Sequence, residues 1–318
     1  MTVGVLVPSY RRPDDLIRCL EGILSGSKLP DEVVVVLRDI DTESRQALLK
    51  WQAATGSGQA GVLLRTAIAA RPGQIVAMNQ GLEVATTDVV CFTDDDCVPR
   101  NDWLARLLEH YDDPQVGAVG GRDVVHEGGQ TLAGRVTVVG RLTWWGRVIG
   151  NHHLDYDGPP IQVDHLKGAN MSFLRSLMRP FDERMSGGSC CLNDTDMSLH
   201  IRGQGYRLVY DPRAVVDHYP SARFDTSTRE KTDTGLVASD SHNWVYCLLK
   251  HIKGPRRLCF LAYALLVGVG TRYGLAKWLL ALPTGPRQAT AQFVASTRGK
   301  LAGARTFRTA HASEPTES

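Results

Sequence analysis

The sequence lacks several features that define common classes of protein. Its seven cysteines are odd in number and show no CxxC spacing, and two of them, Cys190 and Cys191, are adjacent. This pattern argues against a zinc ribbon and against a disulfide framework, and it favours a reducing compartment. The first residues show no basic segment followed by an apolar segment and a cleavage site, so we expect no signal peptide and a cytoplasmic location.

Acidic residues are missing from a long carboxyl-terminal stretch. Residues 1–249 carry 25 lysines and arginines against 32 aspartates and glutamates, a net charge of −7, whereas residues 250–318 carry 11 against 2, a net charge of +9. No acidic residue occurs between Asp240 and Glu314. A basic segment joined to an acidic body predicts an anionic surface as partner, either membrane or nucleic acid.

The apolar run at residues 258–271 is too short to cross a bilayer comfortably, because a span takes roughly 20 residues. Basic residues flank it, and a second apolar patch with a tryptophan follows at residues 278–282. Short apolar helices with basic flanks fit an interfacial helix on an anionic leaflet, which would place the protein at the inner face of the membrane. Packing on the rest of the chain, a homodimer interface and a true span are the alternatives.

Alternating apolar runs and amphipathic segments predict an α/β fold. Short β-branched runs predict strands at residues 2–7, 32–37, 62–65 and 89–93, and apolar residues at helical spacing predict helices between them. Such alternation is typical of a mostly parallel central sheet flanked by helices. Ligands of parallel sheets bind beyond the carboxyl ends of the strands, so we expect the site there. Residues 122–165 are less regular, and no secondary structure is assigned to them.

Three consecutive aspartates, Asp94, Asp95 and Asp96, follow the fourth predicted strand. Side chains alternate along a strand, so Asp94 and Asp96 should point one way and Asp95 the other. Three neighbouring carboxylates raise each other's pKa unless a counter-charge is present. Mg²⁺ or Mn²⁺ supplies such a charge and typically takes one or two carboxylates together with substrate phosphate oxygens. An acidic, solvated turn is the alternative interpretation of three aspartates alone.

Seven segments, in order along the chain, resemble the family-2 glycosyltransferases, which have the GT-A fold. They are VPSYRR (7–12), EVVVVLRD (32–39), GQIVAMNQGL (73–82), VVCFTDDDCVP (89–99), KGANMSF (167–173), FDERM (181–185) and NDTDMSLHIRGQGYRLVY (193–210). The resemblance implies a GT-A catalytic domain over residues 1–225, with a nucleotide-sugar half at about 1–120 and an acceptor half at about 121–225. A basic, apolar helical extension at 226–310 and a disordered tail at 311–318 would follow.

The resemblance implies a nucleotide site at the ends of the first strands. Pro8, Tyr10 and Arg11 fall where the family cradles the base, and Arg71 and Asn79 fall in a segment that passes near the nucleotide. Asn79 is equally compatible with a capping or turn residue.

The aspartate that hydrogen-bonds the base in the family has two candidates here. The family's usual paired acids are replaced by Arg38 and Asp39, with Asp41 two residues on. The sequence leaves the base contact open between Asp39 and Asp41.

Asp94 and Asp96 match the two ends of the family's DxD motif. The resemblance implies Asp94, with its neighbour Asp95, on the nucleotide side, and Asp96 on a Mn²⁺ or Mg²⁺ ion that bridges the two phosphates. His218 matches a histidine that completes the metal shell in some GT-A enzymes, although a lone histidine is more often structural.

Asp194 matches the position of the family's general base, which takes the proton of an acceptor hydroxyl. One base and one displacement imply inversion of configuration at the anomeric carbon. Asn193 stands where the family usually has an acid, and an Asp or Asn before a helix is also an ordinary N-cap.

The acceptor side has two groups of candidates. The turn formed by Gly168, Ala169 and Asn170 should line it, and Trp144 and Trp145 either stack on an acceptor sugar or pack in the interior.

The sequence therefore predicts a metal-dependent inverting glycosyltransferase. Its donor would be a UDP-, GDP- or dTDP-linked sugar and its acceptor a saccharide or lipid-linked saccharide, in glycan, exopolysaccharide or lipid-linked saccharide synthesis, with no nucleic acid as partner. A sugar nucleotidyltransferase usually carries a glycine-rich phosphate loop after the first strand, which SYRR at 9–12 does not resemble. A non-catalytic sugar- or lipid-binding scaffold with a decayed site is the remaining alternative, and the retention of Asp94, Asp96 and Asp194 argues against it.

Overall fold

The computed structural model describes residues 1–55, 61–185, 192–221, 224 and 234–312. The strands are β1 (Val3–Ser9), β2 (Glu32–Arg38), β3 (Leu63–Ala69), β4 (Val89–Phe92), β5 (Cys97–Pro99), β6 (Val116–Glu127), β7 (Gln130–Thr131), β8 (Arg141–Leu142), β9 (Val148–Ile149), β10 (Ile161–Val163), β11 (Met171–Leu174), β12 (Arg207–His218), β13 (Gly268–Val269) and β14 (Arg272–Tyr273). The α-helices are α1 (Pro13–Leu24), α2 (Thr42–Thr55), α3 (Gln74–Val84), α4 (Trp103–Leu108), α5 (Asn193–Gly203), α6 (Thr234–His251), α7 (Gly254–Leu266), α8 (Leu275–Ala281) and α9 (Pro286–Ala312).

The chain folds as two compact units, each drawn from three segments. The first unit comprises Met1–Arg141, Ile149–Phe181 and Met197–Phe224, and the second comprises Leu142–Val148, Asp182–Asp196 and Asp225–Ser318. The first unit is therefore not one continuous span, and the predicted domain limits stay a prediction. Of the predicted disordered tail, residues 311 and 312 are helical, and residues 313–318 lie outside the described residues.

A mixed sheet forms the centre of the first unit. Among the described residues its strand order is β10-β12-β6-β11-β4-β1-β2-β3, with β5 paired to β12 and β7 to β6. Strands β1 to β4 are parallel, as predicted, whereas β11 runs antiparallel between β4 and β6. The parallel half places the carboxyl ends of β1, β2 and β4 side by side, where the sequence predicts the ligand.

Strands β1 and β2 are buried, and β2 is a nearly continuous run of β-branched residues. Every residue of β2 except Arg38 is buried, and β1 is buried except at Pro8. Helix α1 covers this region with one apolar face, because Leu16, Cys19 and Ile23 recur at helical spacing and are all buried. Pro13 begins the helix, where its missing N–H costs no hydrogen bond.

Strand β3 is longer than predicted. It extends to Ala69 rather than 65, and the prediction is short because the mixed exposed and buried positions of β3 hide the strand pattern in the sequence. Strand β12 is continuous over Arg207–His218 with a bulge near residues 211–215. Helix α4 ends at Leu108 and continues as a 3₁₀ turn over Glu109–Asp112. The irregular residues 122–165 contain the end of β6 and four very short strands.

The second unit is helical, and its two longest helices are in backbone contact. A side chain at Gly299 or Gly303 of α9 would overlap the carbonyl oxygen of Ala238 or His242 on α6. Glycine at these two positions, one helical turn apart, therefore permits the close approach. No helix in the described part of the chain is both long and apolar enough to cross a membrane.

Candidate functional site

The turn after β1 lies beside the aspartates that follow β4. Ser9 pairs with Leu37 of β2, and Leu6 pairs with Phe92, the last residue of β4. The guanidinium of Arg12 reaches across this edge and donates to Asp95 Oδ1 at 2.7 Å and to Asp96 Oδ2 at 3.3 Å. Arg12 thus supplies part of the counter-charge that the sequence assigned to a metal ion.

The three aspartates have different environments. Asp94 is partly exposed and accepts a hydrogen bond from Gln74, whereas Asp95 and Asp96 are buried. Burial raises the pKa of Asp95 to about 7, against the lowering effect of Arg12. Asp95 is thus a buried partner of Arg12. This position does not support its predicted contact with the nucleotide.

Strand pairing brings His218 next to Asp96. His218 ends β12 and pairs with Cys97 of β5, which begins one residue after Asp96. As a result His218 Nε2 lies 3.4 Å from Asp96 Oδ1, and the backbone N–H of Ser221 donates to Asp96 Oδ2 at 3.1 Å. Burial opposes ionisation of Asp96, but His218, the N–H of Ser221 and Arg12 together outweigh it, and the pKa of Asp96 is lowered. The structure therefore unites the two residues that the sequence assigned to the metal.

A second buried carboxylate lies behind the histidine. Asp123 on β6 is 1% exposed, and its Oδ2 lies 3.9 Å from His218 Nδ1 and 2.5 Å from Lys167 Nζ. Burial lowers the pKa of His218, but Asp123 and Asp96 together raise it to about 9. The sequence analysis missed Asp123, because only the pairing of β6 with β12 shows that it lies beside His218. Lys167 stands within the recognised KGANMSF segment but carries no assigned role there.

These side chains fit a divalent cation that prefers oxygen and nitrogen ligands. Donor atoms of Asp96, Cys97 and His218 lie within 4.8 Å of one another. Burial raises the pKa of the Cys97 thiol well above its usual value, so the thiolate that binds metals is disfavoured. Metal-ligating histidines commonly have a carboxylate at their other ring nitrogen, which is where Asp123 lies. Asp96 and His218 are therefore the candidate ligands, with the remaining positions left to substrate oxygens.

The structure separates the two candidates for the base contact. Asp41 is 2% exposed, and its two oxygens accept backbone hydrogen bonds from Arg11 at 2.6 Å and from Ser44 at 3.1 Å. It therefore caps helix α2 and holds the turn after β1, where Arg11 has a left-handed φ of 57°. Asp39 is exposed at the end of β2 and accepts from Ile40 N–H. This geometry favours Asp39 for a ligand and makes Asp41 structural.

Cationic side chains surround the ring of Tyr10. The guanidinium carbons of Arg11 and Arg38 lie 5.4 and 5.6 Å from its centroid, within the range of cation–π contact. Pro8 is partly buried, and Arg71 is exposed in the loop after β3, next to the strand that carries Arg38. Arginines therefore lie beside the aspartates at this edge of the sheet.

Two asparagines of the predicted site are structural in this geometry. The amide of Asn79 donates to Phe181 O at 2.9 Å and accepts from Phe181 N–H at 2.7 Å. Asn170 is buried, donates to the carbonyls of Arg122 and Ala214, and accepts from the indole N–H of Trp103. Their hydrogen-bonding groups are engaged by the protein, so the contacts do not support direct roles in nucleotide or acceptor binding.

The other acceptor candidates fall in different units. Gly168 and Ala169 precede β11 in the first unit, where Ala169 is buried in the hydrophobic core. Trp144 and Trp145 belong to the second unit and are 55% and 44% exposed, so they do not pack in the interior. An acceptor role for these residues stays a prediction.

The predicted base Asp194 lies in the first turn of α5, within the second unit. It is partly exposed, and its Oδ1 accepts hydrogen bonds from the backbone and hydroxyl of Thr195. Its catalytic role stays a prediction.

A buried charge cluster adjoins Asp194 in sequence and was not predicted. Lys250 Nζ lies 2.9 Å from Asp182 Oδ2 and 2.9 Å from Asp196, and His251 Nε2 lies 2.7 Å from Asp196 Oδ1. Tyr246 donates to Asp182 at 2.6 Å. Burial opposes ionisation of Asp182, but these hydrogen bonds prevail and its pKa is lowered. Lys250 is thus the cation shared by two carboxylates.

Solved structures identify the class of protein that has this fold. A crystal structure of GalNAc-T7 with UDP, GalNAc and Mn²⁺ superposes with a TM-score of 0.62 at 16% identity, covering 83% of this chain and 50% of that one. The mannosyltransferase PcManGT from Pyrobaculum calidifontis, in complex with GDP-Man and Mn²⁺, gives a TM-score of 0.53 at 20% identity, covering 98% and 79%. The fold is that of the GT-A glycosyltransferases.

Sequence comparison identifies the family. Glycosyl transferase family 2 matches residues 4–179, more than half of the chain, so the protein belongs to that family. It is 29% identical to the pre-mycofactocin glycosyltransferase of Mycobacterium tuberculosis over 236 residues, which cover 71% of this chain and 46% of the relative. Glycosyltransferase AglE of Haloferax volcanii is 25% identical over 134 residues, 42% of this chain and 43% of the relative. The chain spans about half the length of these curated relatives.

Replacing Lys250 should destabilise the second unit. Lys250→Met leaves Asp182 and Asp196 without their common counter-charge in a poorly solvated position. Arg184 still contacts Asp182 and His251 still contacts Asp196, so we expect the free energy of unfolding, measured by urea denaturation, to fall by about 1.5–3 kcal/mol. The exposed Lys253, three residues on, is the matched control, and Lys253→Met should change stability little. Equal stability of the two variants would contradict the role given to Lys250.

Proposed function

We propose that the protein is a metal-dependent, inverting glycosyltransferase that takes its sugar from a nucleotide-diphosphate sugar. The observation that carries the proposal is the Asp96–His218 pair, backed by Asp123, at the sheet edge where β1, β2 and β4 end. Membership of glycosyltransferase family 2 supports the reaction class. The solved relatives with UDP or GDP-Man and Mn²⁺ support the donor class and the metal.

The donor would lie across the carboxyl ends of the first strands. Asp39 accepts a hydrogen bond from the base, Tyr10 lies against the nucleotide, and Arg11 and Arg71 face its negative charge. Asp94, the most exposed of the three aspartates, takes the ribose or diphosphate side. Each assignment rests on exposure at this edge and on the resemblance of the motifs.

Asp96 and His218 would hold a Mn²⁺ or Mg²⁺ ion, which offsets the charge that builds up on the leaving diphosphate. Asp123 fixes the orientation of the imidazole ring through its Nδ1 side, and Lys167 balances the charge of Asp123. Arg12 keeps Asp95 paired in the interior. The chain's own residues therefore prepare the metal site before the donor arrives.

Asp194 would take the proton of the acceptor hydroxyl as that oxygen attacks the anomeric carbon. The C–O bond to the diphosphate breaks on the opposite face, so a single displacement inverts the configuration. The acceptor is a saccharide or a lipid-linked saccharide in glycan or polysaccharide synthesis. A general base of this kind contributes a rate factor of about 10²–10⁴.

Nucleotide titration should distinguish Asp39 from Asp41. Asp39→Ala removes a charged acceptor at an exposed position, so we expect nucleotide affinity to fall by about 10-fold or more with an unchanged melting temperature. Asp41→Ala removes the cap of α2 and the tether of Arg11, so we expect its main effect to be a lower melting temperature. Calorimetric titration of UDP, GDP and dTDP, paired with thermal denaturation, measures both. The reverse pattern would move the base contact to Asp41.

Removing the predicted ligand should abolish the metal-dependent part of donor binding. We expect Mn²⁺ to strengthen nucleotide binding by the native protein, and Asp96→Ala to lower the Mn²⁺-dependent affinity by at least about 10-fold. Asp102→Ala, at an exposed carboxylate in the same unit, serves as control. The same calorimetric titration with and without Mn²⁺ is the measurement. An unchanged Mn²⁺ response in Asp96→Ala would refute the metal assignment.

Replacing the proposed base should separate binding from transfer. Asp194→Asn keeps the size of the side chain but cannot accept a proton at neutral pH, so donor affinity should persist while transfer falls by at least about 10². The anomeric configuration of the product, read by NMR, tests inversion in the same reaction. A near-normal rate would assign the base elsewhere. Failure of every nucleotide to bind the native protein would instead favour the decayed scaffold.

A further inference from the structure

We infer that the second unit carries a surface that binds an anionic lipid bilayer through exposed leucines. Seven of the twenty exposed large hydrophobic side chains in the described part of the chain fall within residues 258–280. We name them the leucine surface: Leu258, Leu265, Leu266, Val267, Leu275, Leu279 and Leu280. Soluble proteins expose single apolar residues routinely, but clusters of this kind mark a binding surface.

The exposed leucines of α7 lie on one face, and no residue of α8 is buried. On α7, Leu258, Ala262 and Leu265 are exposed at helical spacing, while Phe260 and Ala264 are buried. On α8, Leu275 and Leu279 are exposed one turn apart, and Leu280, at 81%, is the most exposed large hydrophobic residue described. Helix α7 therefore has both a face that packs on the unit and an apolar face that does not.

Two exposed tryptophans belong to a segment of the same unit that contacts the packed face of α7. Arg256 of α7 donates to the carbonyl oxygens of Trp144 and Thr143, each at 3.0 Å. The ring of Trp145 lies 6.3 Å from that of Tyr263 on α7. Arg256 and Tyr263 share the face of α7 that carries the buried Phe260, so these contacts do not cover the exposed leucines on the opposite face.

The charge of this part of the chain favours an anionic membrane as the partner. No acidic residue occurs between Asp240 and Glu314, so α7, α8 and α9 are free of negative charge. Lys253 precedes α7 and Arg287 is the second residue of α9, and both are exposed on either side of the leucine-bearing segment. Basic residues that flank exposed leucines complement an anionic membrane, whereas a nucleic acid would leave the leucines without a partner. Helices α7 and α8 have 13 and 7 residues, too few to span a bilayer, so they would lie in the interface.

Flotation with lipid vesicles tests the inference. The full-length protein should float with vesicles of phosphatidylcholine mixed with phosphatidylglycerol, bind vesicles of phosphatidylcholine alone more weakly, and dissociate as the salt concentration rises. We expect Leu280→Asp to lower the partition coefficient for the anionic vesicles by about 10-fold. Leu49→Asp, at a leucine of the first unit that is 59% exposed, should leave it unchanged.

Other outcomes would overturn the inference. The inference fails if the native protein does not float with the anionic vesicles. It also fails if Leu280→Asp and Leu49→Asp bind these vesicles equally. Sedimentation velocity gives the remaining test, because a concentration-dependent dimer that Leu280→Asp dissociates, without vesicle binding, would assign the surface to a second copy of the chain. Nucleotide titration of the same variant separates this inference from the proposed function, since donor affinity should not change.

Discussion

The first unit depends on the neutralisation of carboxylates that the fold buries. Asp95, Asp96 and Asp123 are each less than 5% exposed, and an ionised carboxylate without a partner is costly in such a position. Arg12 reaches Asp95 from the turn after β1, and His218 reaches Asp96 from the end of β12. These ion pairs join residues that are 83 and 122 positions apart in sequence. The same contacts that hold the sheet edge together therefore shape the candidate metal site.

The three consecutive aspartates have three different environments. Asp95 is buried and pairs with Arg12, whereas Asp94 is partly exposed. Asp96 is buried and has two cationic neighbours, Arg12 and His218. A motif of three identical residues thus yields three chemically distinct positions, because each has a different degree of burial and a different partner.

Much of the fold follows from the sequence, because buried parallel strands have a strong local signature. The confirmed parallel order of β1 to β4, and the GT-A fold itself, rest on runs such as residues 32–37 and on motif order. What the sequence does not show is which polar side chains the tertiary structure uses internally. Asn79 and Asn170 stand in the expected segments, yet both hydrogen-bond the protein interior. Asp123 carries no motif, and its role follows only from the pairing of distant strands.

Carboxylates of the second unit are also neutralised by ion pairs. Asp182 and Asp196 are the first and last residues of one of the three segments that form this unit. Both contact Lys250 near the end of α6. His251 adds a second contact to Asp196, so two consecutive residues of one helix hold the first turn of α5. Asp194 lies in that turn, two residues before Asp196. Its position is therefore fixed by an ion-pair cluster rather than by the capping preference of Asp alone, and the general base that we propose would need such a fixed placement.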